Sequence, residues 1–174
     1  MEYVEGKTLH EILQNNGIIP NLASCSLFLQ IVSGLKAAHD KGIFHRDIKP
    51  SNIMVDARGN VRIMDFGIAY LVDQASITLT GSFVGSPNYI SPEQADSKPL
   101  SGKTDIFSTG ALMYQCATGK CPFEATTIHG TINAIINNEP PPIFEKHQKI
   151  LPELGSIIHS CLEKDPQKRL DAQQ

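Results

Sequence analysis

The stretch His45-Arg46-Asp47-Ile48-Lys49-Pro50-Ser51-Asn52 places an imidazole, two cations, a carboxylate and an amide within eight residues. Two short apolar runs follow, at residues 53–55 and 61–64, and the turn-like residues 56–60 separate them. Apolar runs around such a turn predict a β-hairpin. Asp65-Phe66-Gly67 comes directly after the second run. We therefore expect a loop at residues 45–52 followed by a hairpin, with polar and charged side chains just before and just after the hairpin.

Helices are predicted on both sides of this loop. Thr8 and Glu11 have the spacing of a capping box, which predicts a short helix over residues 8–14 that ends at Asn16-Gly17. Ser91 and Gln94 repeat that spacing around Pro92, which suits a first helical turn. A long amphipathic helix ending at Gly42 is predicted from residues that recur at steps of three and four, namely Leu22, Cys25, Leu29, Val32, Leu35 and His39.

The segment 105–118 is apolar on nearly every side, which predicts a helix buried through the centre of the domain. Two further helices are expected near residues 126–137 and 151–162, and a long loop over residues 75–86. We therefore predict a mainly α fold, α+β overall, that is helical with a small β-hairpin and a buried central helix.

Composition excludes several classes of protein. The 174 residues carry 15 Lys and Arg against 18 Asp and Glu, with a sequence pI near 6.0, so no broad cationic surface for nucleic acid is expected. Four cysteines without a C-x-x-C pair indicate reduced thiols, and the histidines show no zinc-ligand spacing with them. No apolar run reaches roughly 18 residues, so we expect no membrane segment in this chain and a cytoplasmic location.

Three later segments complete a pattern. They are Ser91-Pro92-Glu93, Asp105-Ile106-Phe107-Ser108-Thr109-Gly110 and Lys164-Asp165-Pro166-Gln167-Lys168-Arg169. With H-R-D-x-x-x-x-N and D-F-G in order before them, the chain resembles the C-terminal lobe of a eukaryotic-type protein kinase. The amino-acid sequence around His45 is similar to that of bacterial Ser/Thr kinases. A lone Arg-Asp pair is usually a surface salt bridge. The resemblance therefore depends on all five segments occurring together and in this order.

The resemblance implies transfer of the ATP γ-phosphoryl group to Ser or Thr hydroxyls of protein substrates. Asp47 would accept the proton of the incoming hydroxyl, and Lys49 would meet the transferred phosphate. Asn52 and Asp65 would hold Mg²⁺, which prefers such hard oxygen donors. Glu93 and Arg169 would form an ion pair, with Asp105 at the start of the central helix as a further structural residue.

The resemblance also divides the chain into a hinge at residues 1–6 and a C-lobe at residues 7–174. Met1 would be the gatekeeper, the backbones of Glu2 and Val4 would face adenine, and Met54 would lie beneath it. For Met54, plain core packing is an equally good interpretation.

No glycine-rich loop, strand lysine or helix glutamate of an N-lobe occurs in the chain. We therefore expect a fragment that is inactive alone but belongs to an active kinase, whose parent protein could be anchored in a membrane. The alternative is a lobe-only pseudoenzyme that acts as a protein-interaction module.

Regulation is predicted from Arg46, whose guanidinium could bind a phosphate on the following loop. Thr78 and Thr80 are the leading acceptors, with Ser76 and Ser82 behind them, and a second kinase molecule could supply the phosphate by trans-autophosphorylation. The open alternative is a solvated polar loop without this function.

Overall fold

The computed structural model describes residues 5–66, 87–143 and 150–173. Helices dominate these ranges, in agreement with the predicted mainly α fold. The strands are β1 (Lys7–Thr8), β2 (Ile53–Val55) and β3 (Val61–Ile63). The α-helices are α1 (Leu9–Asn16), α2 (Asn21–His39), α3 (Pro92–Ala95), α4 (Gly102–Thr118), α5 (Ile128–Asn137) and α6 (Pro152–Cys161), and two 3₁₀ turns span Pro50–Asn52 and Pro87–Tyr89.

The predicted hairpin is present as β2 and β3, with Ile53 opposite Ile63 in an antiparallel register. Strand β1 pairs with β2 on the other side and was not predicted, since two residues are too short to show alternation. Gly6 leads into β1 so closely that a Cβ there would lie 2.5 Å from the Val55 carbonyl oxygen. Only glycine fits at this approach.

Helix α1 begins with the predicted capping box. The Thr8 hydroxyl accepts a hydrogen bond from the Glu11 amide at 3.2 Å, and the Glu11 carboxylate accepts from the Thr8 amide at 2.7 Å. The helix continues to Asn16, and Gly17 at φ 74° ends it, as predicted.

The predicted apolar face of α2 was wrong in part, because Leu35 is buried as predicted but two other members of that face are exposed. Leu22 and Leu29 are 83% and 70% exposed, although both belonged to that face. The buried side is formed by Ser24, Leu27, Phe28, Ile31 and Leu35. Because this helix carries apolar residues on more than one side, steps of three and four fit two faces, and only packing against the other elements selects one of them.

The helix α4 is the centre of the domain, as predicted, but it begins at Gly102 because the Ser101 hydroxyl caps it by accepting from the Lys103 amide. Its side chains from Thr104 to Tyr114 are all buried. It packs between α2 and α6, and at Gly110 the approach to α6 is so close that a Cβ would lie 2.7 Å from the Cys161 Cβ.

The helices α5 and α6 start one or two residues later than predicted, at Ile128 and Pro152. The Lys164 ammonium, which follows α6, donates to the Ile135 carbonyl at 2.6 Å near the end of α5 and lies 3.6 Å from the centre of the Phe123 ring. Within the described ranges, no helix combines the length and apolar character that a bilayer crossing requires.

Candidate active site

One buried carboxylate of α4 holds residues 45–52, which we call the acidic loop after its single carboxylate, Asp47. Asp105 has no exposed surface. Its Oδ2 accepts from the His45 amide at 2.9 Å, and its Oδ1 accepts from the Arg46 amide at 2.7 Å. Arg46 has a φ of 68°, a left-handed conformation that costs a non-glycine residue about 1–2 kcal/mol. The carboxylate therefore supports a backbone shape that the loop would not adopt unaided.

His39, at the end of α2, is a third partner of the same carboxylate. Its Nε2 lies 2.8 Å from Asp105 Oδ2, and its ring meets Phe44 edge-on at 5.5 Å between centroids. The sequence pattern places His39 on the apolar face of α2 and predicts no role for it at the site. No spacing signal was present to find it, because 66 residues separate it from Asp105.

Asp47, Lys49 and Asn52 form one cluster in the acidic loop. The Lys49 ammonium lies 2.7 Å from Asp47 Oδ2. The Asn52 side-chain Nδ2 donates to the same oxygen at 3.0 Å and to the Asp47 main-chain carbonyl at 2.8 Å. These contacts fix the Asp47 carboxylate through one oxygen. Both Asp47 and Lys49 are more than a third exposed, so the cluster can be reached from solvent.

Asp65 is held next to the acidic loop by its neighbours in sequence. The Met64 amide donates to the Asn52 carbonyl at 2.8 Å, and the Met64 carbonyl lies 2.7 Å from His45 Nε2. The Asp47 amide donates to His45 Nδ1 at 3.2 Å, so Nδ1 is the acceptor and Nε2 carries the proton. The His45 ring also packs edge-on against Phe66 at 4.8 Å. Asp65 itself has a φ of 59°.

Glu93 and Arg169 form a buried ion pair. Arg169 Nη1 lies 2.7 Å from Glu93 Oε1, and Nη2 lies 3.1 Å from Oε2, with both side chains at most 4% exposed. The Thr104 hydroxyl also donates to Glu93 Oε1. Burial raises the pKa of Glu93, but the hydrogen bonds and charge of Arg169 outweigh it, so the pKa lies below the ordinary value.

The remaining predicted residues are only partly described. Met54 is half-buried in β2, where it pairs with Thr8 of β1 and Arg62 of β3. Several predicted positions lie outside the described residues: Met1, Glu2, Val4, Ser76, Thr78, Thr80 and Ser82.

Known proteins are similar to this chain over nearly its whole length. A family model described as protein kinase domain matches residues 1–174. A probable serine/threonine-protein kinase of Clostridium acetobutylicum is 41% identical over 97% of this chain and 26% of its own length. A probable serine/threonine-protein kinase of Clostridium perfringens is 38% identical over 97% of this chain and 25% of its own length. The probable serine/threonine-protein kinase PknB of Corynebacterium glutamicum is 34% identical over 97% of this chain and 27% of its own length. The chain spans about a quarter of the length of these relatives.

Proposed function

This chain belongs to the protein kinase family, and we propose that it supplies the C-terminal lobe of a serine/threonine protein kinase. The observation that carries the proposal is the cluster of Asp47, Lys49 and Asn52, in which an accessible carboxylate is fixed through one oxygen. A phosphoryl group passes through a loose transition state, so orientation of the hydroxyl and neutralisation of charge are the main tasks of such a site.

Asp47 has the geometry of a proton acceptor. Its Oδ2 is used by Lys49 and Asn52, so among the described residues Oδ1 is the oxygen left to accept the proton of a Ser or Thr hydroxyl of a protein substrate. Lys49 lies beside this carboxylate and would balance the charge of the transferred phosphate. Since Asn52 also holds the main chain of Asp47, the carboxylate keeps one orientation while the substrate binds.

The donor set fits Mg²⁺ with ATP. The Asn52 Nδ2 is committed to Asp47, so its Oδ1 is the atom available to a cation, and the Asp65 carboxylate is held beside the same loop. Carboxylate and amide oxygens are ligands that Mg²⁺ prefers, and the ion would neutralise phosphate charge when bound. Adenine would contact the backbones of Glu2 and Val4 and the side chain of Met54. Because ATP is a cytoplasmic nucleotide, we place this activity in the cytoplasm, whether or not the whole protein is anchored in a membrane.

Arg46 would couple the site to regulation. Phosphate on Thr78 or Thr80 would bring about two negative charges, which the guanidinium could bind bidentately. Arg46 precedes Asp47, so this contact would couple phosphorylation of the loop to the acceptor site. A second molecule of the same kinase is the proposed source of the phosphate.

The test measures transfer of labelled γ-phosphate from ATP to a generic Ser- and Thr-containing protein by the intact protein. Asp47→Asn should reduce the rate by about 10²–10⁴-fold, the usual contribution of a positioned proton acceptor, and chelation of Mg²⁺ should stop transfer.

Asp40→Asn is the matched control, because that exposed carboxylate pairs only with Lys36 on the surface among the described residues. It should leave the rate unchanged. Full activity of Asp47→Asn would refute the assignment. Mass spectrometry of residues 67–86 after incubation with ATP tests Thr78 and Thr80, and an unmodified segment in the active protein would contradict their role.

A further inference from the structure

We infer that Gln94 is a positioning residue for the acidic loop, because its side-chain amide fixes the peptide bond that leads into Asp47. This inference rests on the proposed function, since it assigns Gln94 a part in orienting the same carboxylate. The sequence predicted Gln94 only as a helix-capping residue.

The two ends of the Gln94 amide have different partners. Its Oε1 accepts from the Ser91 amide at 3.0 Å, which is one half of the capping box of α3. The other half is the Ser91 hydroxyl, which accepts from the Gln94 amide at 3.2 Å. Its Nε2 donates to the Arg46 main-chain carbonyl at 2.8 Å, across 48 residues of sequence. Because Oε1 is used by the cap, the donor end is directed at the acidic loop.

The Arg46 carbonyl belongs to the same peptide group as the Asp47 amide. Gln94 therefore holds the oxygen of this peptide, while His45 Nδ1 holds its N–H at 3.2 Å. The preceding peptide is held separately, since the Arg46 amide donates to Asp105. Arg46 thus has a hydrogen bond on each side of its left-handed backbone.

Strained backbone persists only where its surroundings fix it. If the Gln94 donor is lost, the plane of the peptide between Arg46 and Asp47 can turn through ψ of Arg46 and φ of Asp47. A change in φ of Asp47 turns its side chain relative to the substrate. Small errors of this kind reduce the rate of a reaction that depends on orientation. The contact also joins α3, the helix of the buried Glu93, directly to the acidic loop.

The capping box allows a pair of variants that separates positioning from stability. Gln94→Glu keeps an oxygen for the Ser91 amide, because glutamate is as good a residue at this position of a capping box. It replaces the Nε2 donor by a carboxylate oxygen that repels the Arg46 carbonyl. Ser91→Ala is the matched control, since it removes the capping hydroxyl and leaves the Gln94 donor in place.

In the intact protein, Gln94→Glu should lower kcat by about three- to tenfold, the range expected from one hydrogen bond. Its KM for ATP should stay near that of the wild type. Its Tm should fall by no more than a few degrees, because one hydrogen bond to a strained peptide is lost, and hydrogen exchange at the Asp47 amide should be faster. Ser91→Ala should lower Tm by a few degrees, as expected for a lost cap, with kcat unchanged.

Wild-type kcat and wild-type exchange in Gln94→Glu would overturn the inference. An equal loss of kcat in Ser91→Ala would also overturn it, because the cap would then carry the effect. If the wild-type protein transfers no phosphate, the proposed function fails, but exchange at Asp47 still tests whether Gln94 holds this peptide.

Discussion

Replacing Arg169 by Met should destabilise the protein more than most single substitutions. The guanidinium makes two contacts with Glu93 and donates to three main-chain carbonyls, those of Lys103, Glu163 and Lys164. Methionine fills a similar volume but donates to none of them. The substitution would leave a buried carboxylate whose remaining side-chain hydrogen-bond partner, among the described residues, is the Thr104 hydroxyl.

Removing one partner of a buried ion pair costs about 3–5 kcal/mol, because the other charge stays buried without compensation. For a domain of this size, about 2–4 °C of Tm corresponds to each kcal/mol, so Arg169→Met should lower Tm by about 6–20 °C. Urea denaturation measures the free energy directly. The double variant Glu93→Gln/Arg169→Met should lose less free energy of unfolding than the two single variants added together, because it contains no unpaired buried charge.

The pH dependence gives an independent check. The pKa of Glu93 is lower in the folded protein than its ordinary value of 4.5. At this site the folded state therefore binds fewer protons than the unfolded state at the same pH. The stabilisation from Glu93 is therefore complete well above pH 4.5 and is lost as the pH falls below it. Arg169→Met should weaken this dependence. A cost below about 1 kcal/mol, or strictly additive single variants, would show that the pair does not stabilise the fold as argued.

Two smaller changes test packing and capping by thermal denaturation. Gly110→Ala should cost about 1–3 kcal/mol, because its Cβ would lie 2.7 Å from that of Cys161 and force α4 and α6 apart; an unchanged Tm would contradict this contact. Thr8→Ala should cost about 0.5–2 kcal/mol through loss of the α1 cap, and Thr8→Ser, which keeps the hydroxyl, should lose much less.

Local features were the ones that the sequence could predict. The capping boxes at Thr8 and Ser91 need only four neighbouring residues, and the hairpin needs two apolar runs and a turn, so each carries its own signal. The same holds for α4, whose apolar character on every side indicates a central position. The buried face of α2 could not be predicted, because the exposed Leu22 and Leu29 satisfy the same spacing as the buried Ile31.

For the site, the order of the motifs identified Asp47, Asn52 and Asp65 as candidates, and the structure brings the elements that carry them together. The residues that orient them were not predictable in this way. His39 and Gln94 reach their partners across 66 and 48 residues, and neither belongs to a local pattern that points to the acidic loop. Their contacts depend on how α2, α3 and α4 pack.

The hydrogen bond from the Arg46 amide to Asp105 also has a consequence for biosynthesis. The two residues are 59 positions apart, so a ribosome that adds 5–20 residues per second makes the carboxylate roughly 3–12 s after the loop. During this interval the left-handed Arg46 has no support from α4. The acidic loop must therefore acquire its shape late, after the central helix has been synthesised, and a nascent chain that ends before residue 105 should carry the motif without its geometry.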